Sequence, residues 1–340
     1  MKSFRKIVLS ACLVMAASSV FAKPKAKDPD WFGNVNVVYP ESRYIAESAS
    51  GASGDGARNA AVELLAGFFS SSVQSMAADS KTRKGNDVPP VLSIKAIPES
   101  VDLSSEVRLC GVEFSETYFV KKEKKYYCVA YIDREKIWSL YKPQVKAASE
   151  EFMATYKLGE RNMARNSFLA AKYFSLSRPK ADLFAARILI GKLFSPEAEK
   201  MHEMEQRKAN DLDATIKSVF ANSAMTVDAK NDVNSMITAK AKEAFVSCGY
   251  TVSGAKTAPF TLSIEIKDNY EKSGNGCSVS PEVTVSVLNK KGDAVYSYSA
   301  SGEKTSGETR QKALAAALVP VAEKIGSGLK DHFMSSVETK

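Results

Sequence analysis

Histidine is almost missing from this chain, with 2 among 340 residues. His202 sits in HEMEQ, without the second histidine of a zinc-protease helix, and His332 stands near the C-terminus with no nucleophile spaced around it. No G-x-S-x-G elbow is present, so a hydrolase of the Ser-His-Asp kind has no seat for its serine. Ser139-Leu140-Tyr141-Lys142 spells S-x-x-K, yet neither an SDN nor a KTG partner accompanies it. Neighbouring acids such as Glu150 and Glu151 leave a helix in different directions and read as a solvated face. No C-x-x-C spacing occurs, which argues against a zinc site and a thioredoxin-like motif. These absences point to a chain that is not an enzyme and carries no cofactor or metal.

Long apolar runs are also scarce. MKSFRK followed by IVLSACLVMAASSVFA has the basic start, apolar middle and small-residue end of an export leader, and Val20-Phe21-Ala22 fits the cleavage rule. Cleavage between Ala22 and Lys23 is expected, with 1–22 removed. The run is too short for a spanning helix, which needs about 20 apolar residues, and nothing later comes closer. Leu9-Ser10-Ala11-Cys12 offers a rival in which Cys12 is lipidated. Only Ile7 to Ala11 precede it, short of the roughly 7–15 residues of a working apolar region, so this rival is disfavoured. Losing the leader removes Lys2, Arg5 and Lys6 and lowers the net charge from +8 to +5, thinly spread. The tightest cluster is KKEKK at 121–125, which reads as a hairpin tip. No nucleic-acid partner is expected.

Four cysteines remain beyond the leader: Cys110, Cys128, Cys248 and Cys277. An oxidising compartment permits disulfides. Cys110 and Cys128 flank a hairpin at positions too far apart along the ladder to face each other. Cys248 closes a helix and Cys277 lies in the loop SGNGC, which makes Cys248–Cys277 the favoured disulfide.

The patterning predicts an α+β fold: two small α/β modules with mainly antiparallel sheets, separated by an all-helical segment. The first module spans 30–133. It has a strand from Tyr44, a helix over Asp55–Ser75 with an apolar stripe, a strand VLSIKAI, and a hairpin made of RLCGVEFSETYFV and KYYCVAYID. The hairpin carries Phe114, Tyr118, Phe119, Tyr126, Tyr127 and Tyr131; one face fills a core, and the other is left to solvent, the helical segment or a partner. The helical connector spans 134–212, where glycine thins out and Pro179 and Pro196 mark breaks between helices. The second module spans 213–335. Its pattern is a strand MTVDAK, a helix with Val233, Ile237, Ala241 and Phe245 on one face, four more strands, and a long C-terminal helix.

Between the first strand and helix lies SGASGDGARNAA, with Gly51, Gly54 and Gly56. Its G-x-x-G-x-G order matches neither dinucleotide nor phosphate-loop spacing, and no lysine follows to reach a phosphate. It reads as a small-residue turn. A second stretch, SASGEKTSGETRQKA at 299–313, echoes SASGASGDGARNAA at 48–61 and suggests one strand-to-helix device used twice.

Three features together resemble the LPP-twenty family of bacterial envelope lipoproteins, which includes flagellar basal-disc and ring-assembly components. They are Trp31 before the first strand, the stretch YIAESASGASGDGARNAAVELLAGFFSSSVQS, and VRLCGVEFSETYFVKKEKKYYCVAYIDREKI with its Ala130-x-Ile132-Asp133-Arg134 ending. The resemblance covers the N-terminal module alone. It implies a scaffold or assembly role in the periplasm or on the inner face of the outer membrane, with envelope proteins or further copies of the chain as partners. It implies no reaction, and membrane attachment only if Cys12 is lipidated. The alternative is a periplasmic module that binds a small molecule or glycan between domains.

Overall fold

A computed structural model describes residues 28–82, 111–254, 257–273 and 276–336. The expected leader with Cys12 and Ala22, Lys23 just after it, and the expected strand VLSIKAI with the nearby Cys110 lie outside the described residues. The chain is α+β, with mainly antiparallel sheets in two modules and helices between them.

In the first module β1 (Tyr44–Gly51) runs into α1 (Gly54–Thr82), and β2 (Glu113–Phe114), β3 (Tyr118–Val120) and β4 (Lys125–Asp133) complete the sheet. β4 is central. It pairs antiparallel with β1 on one side and with β2 and β3 on the other. The period-2 rule sends Ile45, Ala130 and Ile132 to the side covered by α1, whose Ala61, Leu65, Phe69 and Val73 recur every four residues. The opposite face is covered by the chain's own N-terminal stretch. Phe32 packs edge-on against Tyr118 and Tyr127, with ring centroids 5.0 and 5.1 Å away, and Tyr39 lies 4.4 Å from the Tyr131 ring.

Asp133 ends β4 and starts α2 (Arg134–Met163); its carboxylate accepts the amides of Glu135 at 3.0 Å and Lys136 at 3.3 Å, satisfying two donors of the first turn. α2 and α3 (Ser167–Phe194) form a long hairpin, followed by the short α4 (Glu197–Lys200) and by α5 (Glu203–Ala221). A Cβ on Gly159 would stand 2.9 Å from the buried Phe174 ring, so the missing side chain is what lets α2 and α3 close. Pro196 does separate α3 from α4, but Pro179 lies inside α3 and breaks nothing. A proline there withholds one amide from the Ser175 carbonyl, and burial of Phe174 and Ala181 on either side holds the helix through it. The helical segment continues past 212 to Ala221.

The second module places α6 (Met236–Ser247) between β5 (Met225–Lys230) and β6 (Phe260–Lys267), which run parallel; β9 (Glu282–Leu288) and β10 (Ala294–Ser301) add antiparallel strands in the order β10-β9-β6-β5. Register pairs Leu262 with Val287, Ile264 with Val285 and Ile266 with Val283, so both strands turn valine and isoleucine toward α6 and α7 (Arg310–Ser335). A third small sheet joins β7 (Tyr270–Ser273), β8 (Gly276–Val279) and β11 (Thr305–Gly307). The sequence pattern missed it because its strands are short and polar, and SGNGC looked like a loop.

One core links the parts. Phe69 of α1 lies 5.7 Å from Phe194 of α3. At the other end of α3, Phe168 touches the rings of Tyr250, Phe260 and Phe333 at 4.6, 5.8 and 5.1 Å, and Tyr250 donates its hydroxyl to the Phe168 carbonyl at 2.7 Å. The helical segment therefore seats both modules rather than only connecting them.

Candidate functional site

The glycine loop is a packing device. Ser53 Oγ accepts the Gly56 amide at 3.0 Å, occupying a first-turn donor that an anion would need. A Cβ on Gly51 would lie 2.5 Å from the Ala57 nitrogen, so the strand end touches the helix backbone directly. The same device recurs in the second module, though not in the register of the Ser-Ala-Ser-Gly echo. Ser299 to Ser301 only finish β10. The equivalent of Gly51 is Gly307, where a Cβ would lie 2.9 Å from the Ala313 nitrogen. Thr309 Oγ1 accepts the Lys312 amide as Ser53 accepts that of Gly56. The buried stripe then matches at a constant offset: Ala57 with Ala313, Ala61 with Ala317, Leu65 with Val321, Phe69 with Ile325, Val73 with Leu329.

The four residues that end the N-terminal pattern converge on the junction between the first sheet and the helices. Ala130 and Ile132 pack under α1. Asp133 caps α2 and accepts two bonds from Arg43, at 3.1 and 3.0 Å. Partial burial works against the charge of Asp133, but the Lys136 amide, the Arg43 guanidinium and the Glu135 amide together hold its carboxyl below the ordinary aspartate value. Arg134 turns inward and donates to the carbonyls of Glu41 and Leu193, tying the N-terminal stretch to the end of α3; burial lowers its pKa. Beside it opens a cleft of about 390 Å³ lined by Ser42, Arg43, Arg134, Glu135, Trp138 and Ser195. Trp138 is fixed there by its indole N–H, 2.8 Å from Glu197 Oε2. A smaller cavity of about 160 Å³ lies on the other side of Arg134, against Tyr39, Tyr44, Phe68 and Glu47. Burial raises the Glu47 pKa. Trp138 stands in no motif, and Glu47 lies in the first-strand stretch without any pattern that marks it for a role.

β1 has no strand on its outer side among the described residues, and neither does β10. β10 reads AVYSYSAS without a charge or a proline, two of the devices that blunt an exposed edge, and its register with β9 shifts only at its start, between Ala294 and Tyr296.

The remaining candidate residues do not gather. His202 begins α5 in a left-handed backbone conformation, 4.0 Å from Glu205. His332 Nδ1 lies 2.9 Å from the Tyr296 hydroxyl. Ser139 Oγ donates to the Lys136 carbonyl while Lys142 pairs with Glu197, so the S-x-x-K residues are spent on local structure. Glu150 and Glu151 pair with Lys146 and Lys180 on exposed faces. Cys248 and Cys277 are free thiols, contrary to the expected pairing. Cys248 ends α6, where burial raises its pKa; Cys277 is held within β8, its thiol 3.4 Å from the Gly307 carbonyl. Cys128 is free as well, buried near Ser115. No cluster of His, Cys, Asp and Glu suited to a metal occurs among the described residues, and no described helix is long and apolar enough to cross a membrane.

No protein-family model matches the chain, and no curated protein matches its sequence. Among solved structures, the chain is similar to the secreted protein HP1454 of Helicobacter pylori at 14% identity and a TM-score of 0.32, over 87% of this chain and 99% of that one. It is also similar to a minor lipoprotein of Acinetobacter baumannii at 10% identity and a TM-score of 0.24, over 34% of this chain and 94% of that one. Scores of this size do not establish a shared fold.

Proposed function

We propose that the chain is an exported cell-envelope protein that works through contacts with other proteins and not through chemistry. The observation that carries this reading is that β1 in the first module and the uncharged β10 in the second are edge strands with no outer partner among the described residues. Each presents backbone donors and acceptors to an incoming strand. The leader at 1–22 supports the address, and the LPP-twenty resemblance supports an assembly role, including association with the flagellum or outer membrane. The Ala130-x-Ile132-Asp133-Arg134 ending then has a plain meaning: it locks the sheet to the helical hairpin and keeps the edges rigid.

The test is photo-crosslinking in living cells from single positions on β1 and β10, with positions on the exposed face of α5 as controls. The reading expects adducts from the edges that mass spectrometry identifies as an exported protein or a second copy of the chain. Edge positions that give no more adduct than α5 refute it.

A second reading is favoured by the cleft with Trp138, Arg43, Arg134 and Glu135, whose size suits a small molecule or glycan. A saturable rise in Tm with such a ligand, lost on Trp138→Leu, would support it over the first.

A further inference from the structure

The tip of the β3–β4 hairpin has a composition that neither the core nor the proposed edges explain. Lys121, Lys122, Lys124 and Lys125 crowd it, all exposed. No described carboxylate pairs with any of them. The single acid there, Glu123, is turned back along β4 to accept the Tyr127 hydroxyl. Lys124 takes a left-handed conformation, φ 55°, which makes the turn tight. Just behind the lysines, Phe119 stacks on Tyr126 with centroids 4.7 Å apart, and Phe119 is still 41% exposed. An exposed phenylalanine and a half-buried tyrosine beside four ammonium groups that no described carboxylate pairs are unusual for a hairpin that has only to end a sheet.

A second observation points the same way. The first described residue, Asp28, accepts the Tyr118 hydroxyl on β3, so the chain enters the fold at the end of the molecule where this hairpin projects. The stretch directly before it is KPKAK, with Lys23, Lys25 and Lys27. The sequence thus adds three more basic residues within five positions of Asp28.

We infer that the hairpin tip docks on an anionic lipid surface. Phe119 and Tyr126 suit the headgroup boundary, where aromatic rings partition, and the lysine stems cover apolar surface while their ammonium groups meet lipid phosphates. Duplex DNA would use the lysines but gain little from the ring pair, because its bases are stacked inside the helix. The contact needs no lipid on Cys12, and it goes beyond protein–protein assembly by fixing one end of the molecule against a membrane.

The test uses the full chain, exported by its own leader, with Cys12→Ser so that no acyl group can be attached. Sedimentation with phosphatidylcholine vesicles, with and without phosphatidylglycerol, reads the binding. The expected result is binding only when phosphatidylglycerol is present, released by salt. Each lysine changed to glutamine should weaken it by about fivefold. The variant with all four tip lysines changed should fall to background, and Phe119→Ser should weaken binding while Phe119→Trp retains it and shifts its emission to the blue. All these residues are exposed, so an unchanged Tm checks that each variant folds. The inference fails if the chain ignores phosphatidylglycerol vesicles, or if the four-lysine variant binds as well as the parent. It also fails if Phe119→Ser has no effect and duplex DNA competes fully, since the tip would then be a simple polyanion site.

Discussion

Replacing Gly51 by alanine separates a glycine needed for close approach from one needed only for a turn. The new Cβ would stand 2.5 Å from the Ala57 nitrogen and 2.6 Å from the Gly56 carbonyl carbon. Both are backbone atoms in the first turn of α1, so neither can yield by rotating a side chain. Forced overpacking of this kind costs about 1–3 kcal/mol. Against it stands a gain of about 0.4–1 kcal/mol, because alanine has fewer unfolded conformations to lose than glycine. The net expectation is a loss of roughly 1–2 kcal/mol, or about 1.5–3 °C in Tm for a chain of this length with one core. Gly307→Ala should act in the same direction and more weakly, since its nearest contact is 2.9 Å. Gly67 is the internal control. It lies in the exposed interior of α1 with nothing within 4 Å of a Cβ, so alanine there should stabilise by about 1 kcal/mol. Thermal unfolding of the three variants decides the matter. If Gly51→Ala is as stable as the parent while Gly67→Ala behaves as expected, the strand end does not touch the helix and the shared device is refuted.

Two further outcomes follow from charged groups. Asp133 has a lowered pKa, so its contribution is present above the ordinary aspartate range and lost as pH falls through the lowered value. Asp133→Asn keeps the cap but not the charge, and should flatten the decline of the urea midpoint below about pH 4, whereas Asp133→Ala should cost about 1 kcal/mol at neutral pH as well. Lys172 is buried, donates to the carbonyl of Ser336 and to its hydroxyl at 3.0 Å, and has its pKa lowered by burial. The unfolded chain therefore holds the proton longer. Relative to Lys172→Met, the parent should gain stability as pH climbs from the lowered value towards 10.5, and an identical pH profile for the two would refute the burial of the charge. Lys172→Ala leaves a cavity and should cost about 2–4 kcal/mol.

Much of the fold was legible because amphipathic periods are strong in it. The alternation of FTLSIEI and VTVSVL, and the four-residue stripes of α1 and α7, each bury one face and so leave a mark in sequence. Pro179 misled because a rule about local backbone bonding was overridden by packing on both sides of it. SGNGC reads as a loop in sequence, whereas β7, β8 and β11 enclose Cys277 in a sheet too short to show a period, and Cys248 and Cys277 stand as free thiols. The echo of Ser-Ala-Ser-Gly pointed to a real repeat in the wrong register, since the letters that matter are a glycine touching a helix backbone and a hydroxyl three residues before an amide. The cleft around Arg134 was invisible in a different way: Ser42, Trp138 and Ser195 come from three separate segments, and only the fold brings them to one place.

The claim beneath the proposed function is that the chain leaves the cytoplasm and works in the envelope. Intact mass of the protein recovered from cells tests it directly. The account predicts a chain that begins at Lys23, carries no lipid and is released with the periplasmic contents. A chain that keeps Met1 and stays in the cytoplasm contradicts it, and one that begins at a lipidated Cys12 contradicts the cleavage after Ala22.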